Sequence, residues 1–142
     1  MENRSCTFFG HRDAPNGIRP QLKAALVDLI ENQGVTQFYV GNQGCFDSMA
    51  IGVLSELIEK YPIRFFVVLA GLPEREDPYA DRIPTIFPEG LETVPRRFAI
   101  DRRNRWMIEQ SDSVVTYVRH PYGGAAKFRE LARRKGRQLI EI

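Results

Sequence analysis

Arg102-Arg103-Asn104-Arg105-Trp106-Met107, then Ser111-Asp112, the apolar run Val114 to Val118, and Gly123-Gly124-Ala125-Ala126-Lys127 follow one another late in the chain. In order they read as a helix carrying polar residues, a buried strand, and a diglycine turn opening another helix. A helix N-terminus presents unpaired N–H groups and a partial positive charge, and glycine lets a ligand approach the backbone closely. The stretch points to α/β architecture and to a phosphate-bearing, nucleotide-like ligand.

Upstream, the same alternation repeats. Ser5 to Phe9 is a short apolar run ended by Gly10-His11-Arg12. Pro20 suits a first helical turn, and Leu22, Ala25, Leu26, Leu29 and Ile30 mark one helix face before Asn32-Gln33-Gly34 stops it. Thr36 to Val40 reads as a second strand, ended by Gly41-Asn42-Gln43-Gly44. A helix is expected from Asp47, read as its cap, with Met49, Ile51, Val53, Leu54, Leu57 and Ile58 on a wide apolar side and Pro62 closing it. The unbroken apolar run from Arg64 to Ala70 suits a central strand covered on both faces.

Residues 71–95 are rich in proline and charge, with a short strand candidate near Ile83 to Phe87. A segment this long is either a surface insertion or a lid over a binding site. A helix from about Arg96 to Gln110, a strand from Ser113 to Val118, a helix from Gly124 to Lys135 and a closing strand from Gln138 to Ile142 complete the reading. The expected fold is one α/β domain over residues 1–142, a Rossmann-like three-layer sandwich with a mostly parallel sheet. Right-handed crossovers place the loops after the strands along one sheet edge, where ligands bind in open α/β sheets. Three of those loops carry glycine: Gly10-His11-Arg12, Gly41 to Asp47, and Tyr122-Gly123-Gly124.

Composition narrows the function classes. A chain of 142 residues with 43% apolar and 27% charged residues is an ordinary globular domain, and its net charge of +2 argues against a nucleic-acid or membrane surface. The arginines of Arg96 to Arg105 and of Arg129 to Arg137 are either solvated helix faces or an anion-facing patch. Cys6 and Cys45 are too few for a disulfide framework and lack metal-ligand spacing. No apolar run approaches the ~20 residues that span a bilayer, and Met1-Glu2-Asn3-Arg4 opens no signal-peptide core. A cytoplasmic setting without membrane, metal or resident cofactor is the expectation.

The candidate ligand-binding residues follow from the loops. Gly41, Asn42 and Gly44 are placed to cradle phosphate, and Asp47 either bonds a ribose hydroxyl or caps its helix. The spacing departs from G-x-G-x-x-G and from G-x-x-x-x-G-K-[ST], against ordinary dinucleotide dehydrogenases and P-loop phosphotransferases. Arg12 suits a bidentate phosphate clamp, and His11 a base contact or proton transfer. Arg103 and Met107 share a helix face with Asn104 beside them, offering a cation and an amide, or a packed face with a snorkelling arginine. Lys127, one turn into the last helix, reaches phosphate or solvent. No G-x-S-x-G elbow or H-E-x-x-H is present, and the histidines are His11 and His120 alone. Glu89, Glu92 and Glu130 are the carboxylates available to chemistry.

Taken together, Phe8-Phe9-Gly10-His11-Arg12, Gly41-Asn42-Gln43-Gly44-Cys45-Phe46-Asp47, Arg103-Asn104 to Met107, Ser111-Asp112 and Gly123-Gly124-Ala125 resemble the SLOG superfamily of Rossmann-like proteins. Within it they are most similar to the YpsA-like branch of small bacterial and phage proteins. The resemblance implies a nucleotide-binding fold, often dimeric, with nucleotides or NAD- and ADP-ribose-derived ligands. Another branch, the LOG-type phosphoribohydrolases, uses an Arg upstream of a P-G-G-x-G-T-x-x-E loop to release a base from a nucleoside monophosphate. By that resemblance the Arg falls on Arg103 and the Glu on Glu130. Tyr122 replaces the Pro, Ala126 the third Gly and Lys127 the Thr, so glycosidic hydrolysis is inherited only through a degraded motif. Two readings stand: a nucleotide-binding module for sensing or sequestration, or an N-glycosidic hydrolase using Arg103 with Glu130, Glu89 or Glu92.

Overall fold

Phe8 and Phe9 lie on opposite faces of one strand, and that alternation divides the core in two. The computed structural model describes residues 4–71 and 83–142. Six strands form one sheet: β1 (Arg4–Gly10), β2 (Val35–Val40), β3 (Arg64–Val68), β4 (Thr85–Ile86), β5 (Ser113–Tyr117) and β6 (Gln138–Glu141). Their order is β4-β3-β2-β1-β5-β6, and every pairing is parallel.

Successive strand residues point to opposite faces. Phe8, Phe38, Val67 and Val115 thus meet α1 (Arg19–Gln33) and α2 (Cys45–Leu57), through Leu22, Leu26, Leu29, Phe46, Ala50, Val53, Leu54 and Leu57. Their neighbours Phe9, Tyr39, Val68 and Val114 meet α3 (Arg96–Gln110) and α4 (Gly124–Arg134), through Met107, Ile108, Phe128 and Ala132. The result is the expected three-layer Rossmann-like sandwich. Each fully buried Leu or Phe contributes about 1.5–3 kcal/mol. Strands covered on both sides have no polar face, which is why β5 is buried along its whole length.

The buried stripe of α3 is anomalous. Ala99, Arg103, Asn104, Met107 and Ile108 recur at helical spacing, so two polar residues occupy positions that packing alone would fill with apolar ones.

One boundary differs from expectation. Helix α2 begins at Cys45, and Gly44, with φ 92° and ψ −174°, is its N-cap. Asp47 is therefore not the cap but lies in the first turn, where its carboxylate reaches back to accept the Gln43 N–H at 2.9 Å. A conformation open essentially to glycine alone starts the helix earlier than an Asp cap would. The strand candidate near Ile83 to Phe87 is β4, an edge strand. Much of the lid candidate, residues 72–82, lies outside the described residues, as do Met1, Glu2 and Asn3. Among the described residues no helix is long and apolar enough to cross a membrane.

Candidate functional site

From β1 the chain moves outward through β2, β3 and β4, then crosses back to place β5 on the other side of β1. The strand order reverses there, and at such a switch point the loops diverge to leave a crevice. Gly10 and Tyr117, the last residues of β1 and β5, pair in register. Beyond them opens a cavity of about 300 Å³, walled by His11, Arg12 and His120 from the strand ends, Asp47 from α2, Arg103 and Asn104 from α3, and Gly124 and Ala125 from α4.

Arg103 is 2% exposed. Its Nε donates to Asn104 Oδ1 at 2.8 Å, and Nη1 donates to the Val68 carbonyl at 3.0 Å and to Asn42 Oδ1 at 3.2 Å. One guanidinium thereby ties α3 to the end of β3 and to the β2–α2 loop. Nη2 has no acceptor among the described hydrogen bonds, nor has Asn104 Nδ2. Gly41 leaves room for this arrangement: a Cβ there would stand 2.9 Å from Asp47 Oδ2 and 3.2 Å from Arg103 Cζ. Burial pushes the Asp47 carboxyl up to about 6, although the Gln43 N–H and the nearby Arg103 and Arg12 cations pull it down. Burial likewise lowers the Arg103 pKa, and Asp47 opposes that shift. The pair lies in the low-dielectric setting where unmatched charge is costly.

His11 forms the other wall. Its Nε2 accepts the Arg119 backbone N–H at 2.8 Å, so the neutral ring carries its proton on Nδ1. Burial, then the neighbouring His120, lowers its pKa and favours that neutral form. His120 stacks on it with ring centroids 3.9 Å apart, and Tyr122 stacks on His120 at 4.1 Å.

Two helices point their N-termini at this edge of the sheet, each begun by a glycine of nearly the same conformation: Gly44 (φ 92°, ψ −174°) for α2 and Gly123 (φ 90°, ψ 178°) for α4. At α2 the Arg12 backbone stands over the terminus, its carbonyl accepting the Cys45 N–H at 2.7 Å. At α4 the N–H groups of Gly124, Ala125 and Ala126 have no acceptor among the described hydrogen bonds, and Gly124 and Ala125 line the cavity.

With that geometry in place, comparison with known proteins is informative for architecture. No protein-family model matches the sequence, and no curated protein does. Among solved structures, DNA processing protein A (DprA) from Streptococcus pneumoniae matches with a TM-score of 0.70 at 14% identity, covering 98% of this chain and 50% of that one. The two share a fold. This chain spans about half the length of that structure.

Of the sequence-selected residues, Gly10, His11, Arg12, Asp47, Arg103, Asn104 and Gly124 line the one cavity. Gly41 and Asn42 stand behind it against Arg103, Gly44 packs on Arg12, and Gly123 caps the open helix. The others lie elsewhere. Lys127 is exposed, its Nζ 2.6 Å from Asp101. Glu130 is exposed and pairs with Arg133 at 2.7 Å, outside the cavity wall. Glu89 lines a separate hollow of about 770 Å³ between its own loop and the outer side of α3, and Glu92 is exposed on the short turn Leu91–Thr93. Met107 is core and Trp106 packs edge-on against Tyr39. His120 and Asp13, not among the selected residues, also line the cavity. A signal for His120 was present: β1 ends into His11-Arg12 and the adjacent β5 ends into Arg119-His120.

Proposed function

We propose that this protein binds a nucleotide or nucleotide-derived ligand at the C-terminal edge of its sheet, with the phosphate seated at the N-terminus of α4. One observation carries this reading. The cavity gathers hydrogen-bond donors with no acceptor among the described residues, namely Arg103 Nη2, Asn104 Nδ2, and the Gly124 and Ala125 N–H groups. Donors that face an open hollow without a protein partner are met by solvent or by a ligand, and this set suits a ligand rich in acceptors. An oxyanion there gains charge-assisted bonds from Arg103 together with the helix dipole. At about 300 Å³ the cavity is at the lower end of small-molecule pockets (~300–1,000 Å³), which favours a mononucleotide over a dinucleotide. Sensing or sequestration is the role in keeping with this chemistry, in a cytoplasmic setting, and the YpsA-like assignment is part of the same proposal.

Mass spectrometry of small molecules released from the purified protein, followed by calorimetric titration with a nucleotide panel, tests the reading. A nucleoside phosphate recovered and rebound is expected. An empty protein that binds none of the panel overturns it.

A second reading, N-glycosidic hydrolysis of nucleoside monophosphates, is favoured by Asp47. This carboxyl lies in the cavity beside Arg103, with a pKa of about 6 suited to acid–base work near neutrality. Under it Asp47, rather than Glu130 or Glu89, serves the departing base. Free base released above a buffer control, and lost in Asp47→Asn, is the expected result; no release rejects it. Dimerisation, implied by the resemblance, is a separate proposal that light scattering decides.

A further inference from the structure

The geometry points to Tyr122 as a stacking platform for the base of the bound nucleotide, a purine in preference to a pyrimidine. This rests on the phosphate reading above and assigns the other end of the ligand. Tyr122 is 69% exposed, the most exposed large apolar side chain among the described residues. It is nonetheless held in place. Its ring lies on His120 at 4.1 Å and 19°, and His120 lies on the buried His11 at 3.9 Å and 15°. The His120 ring nitrogen Nδ1 is also 3.0 Å from the Tyr122 carbonyl oxygen. Gly123, with φ 90°, fixes the backbone immediately after it.

Both faces of His120 are therefore covered, while one face of Tyr122 is covered and the other is open. In sequence Tyr122 falls between His120 and Gly124, two residues of the cavity wall. A phosphate on the Gly124 and Ala125 N–H groups places the ligand's next groups along this rim. The cavity is about 300 Å³, and a nucleotide whose phosphate sits on α4 would carry its base toward the rim beside this ring. Aromatic faces accept any base, more strongly the larger its π surface, without a dedicated hydrogen-bond pattern. A pre-stacked ring loses little freedom on binding, which favours affinity.

The test compares adenosine 5′-monophosphate with ribose 5-phosphate by calorimetry on the wild-type protein, Tyr122→Ala and Tyr122→Phe. Wild type is expected to bind the nucleotide at least about tenfold tighter, the scale of one base–aromatic stack. Tyr122→Ala is expected to lose that margin while binding ribose 5-phosphate unchanged, and Tyr122→Phe to keep it. Base-proton resonances of the nucleotide should move upfield on wild type and Tyr122→Phe but not on Tyr122→Ala. If the nucleotide is held no tighter than the sugar phosphate, or Tyr122→Ala leaves the margin intact, the platform is overturned while the phosphate site survives. If Tyr122→Ala weakens both ligands equally, the ring merely holds the loop, and the proposal fails. Should neither ligand bind wild type, the phosphate reading falls and takes the platform with it. Dissociation of a dimer by Tyr122→Ala, with nucleotide affinity untouched, assigns the ring to a second copy and overturns the proposal.

Discussion

The N-termini of α2 and α4 begin with the same device and end in opposite states. Gly44 and Gly123 differ by only a few degrees in φ, and neither helix has a side-chain cap. A Cβ on Gly44 would stand 2.6 Å from Arg12 Cα, whereas one on Gly123 would meet only His120 Cε1 at 4.0 Å. At the first terminus the Arg12 carbonyl takes the Cys45 N–H and Asp47 bonds Gln43; at the second, Gly124 and Ala125 face the cavity with no acceptor among the described residues. The difference shows that a glycine turn before a helix specifies backbone shape, and that its neighbours decide whether an anion has access.

Arg103 separates the two termini, and replacing it is the harshest way to break the contrast. Arg103→Met leaves the Val68 carbonyl, Asn42 and Asn104 without their donor and Asp47 with Arg12 alone of its two cations. Loss of one partner from a buried charged cluster costs about 3–5 kcal/mol. Urea unfolding followed by circular dichroism should show a drop of that size. A loss under about 1 kcal/mol would mean that this guanidinium does not hold the β2–α2 loop to β3.

The two glycines provide a direct comparison. Gly123→Ala carries only the strain of a positive φ, about 1–3 kcal/mol. Gly44→Ala carries the same strain plus overlap with the Arg12 backbone, for a total of about 4 kcal/mol. The same unfolding measurement should therefore separate the variants by about 2 kcal/mol. Equal losses would show that the Arg12 backbone yields easily to a Cβ at residue 44.

Much of this was legible in the sequence. Apolar runs such as Val114 to Val118 and Phe65 to Leu69 identify strands buried on both sides, and alternation with helices dictates the parallel sheet. The strand ends likewise brought His11 and Arg12 to one edge. The rest depends on contacts made across the fold. Lys127 and Glu130 follow the diglycine turn closely in sequence, yet helical rotation turns them to Asp101 and Arg133 at the surface. His120 and Tyr122 carry no periodic signal, because ring stacking joins residues of two different loops. Asp47 reads as a cap or a ribose ligand in one dimension. Only the buried Arg103 beside it accounts for a carboxylate held in the interior.

Asp47 couples the two termini, and its titration yields the smallest and most diagnostic effect. It belongs to the first turn of α2 yet faces the cavity served by α4. Its folded pKa of about 6 lies above the ordinary 3.8, so between those values the native state holds the extra proton. The stability conferred by that proton is full below 3.8 and is lost as pH rises through 6. In the same direction, the ionised carboxylate above pH 6 opposes an anion, whereas the neutral form leaves Arg103 uncompensated. Sulfate, whose charge is constant over this range, is expected to bind about threefold tighter at pH 5.5 than at pH 7.5, a change within the reach of one partly screened charge. Asp47→Asn should bind it equally at both, since an amide does not titrate. A variant that keeps the wild-type slope would assign the proton to His11, whose lowered pKa sits on the opposite wall. The two termini would then be electrostatically independent, joined by Arg103 through geometry alone.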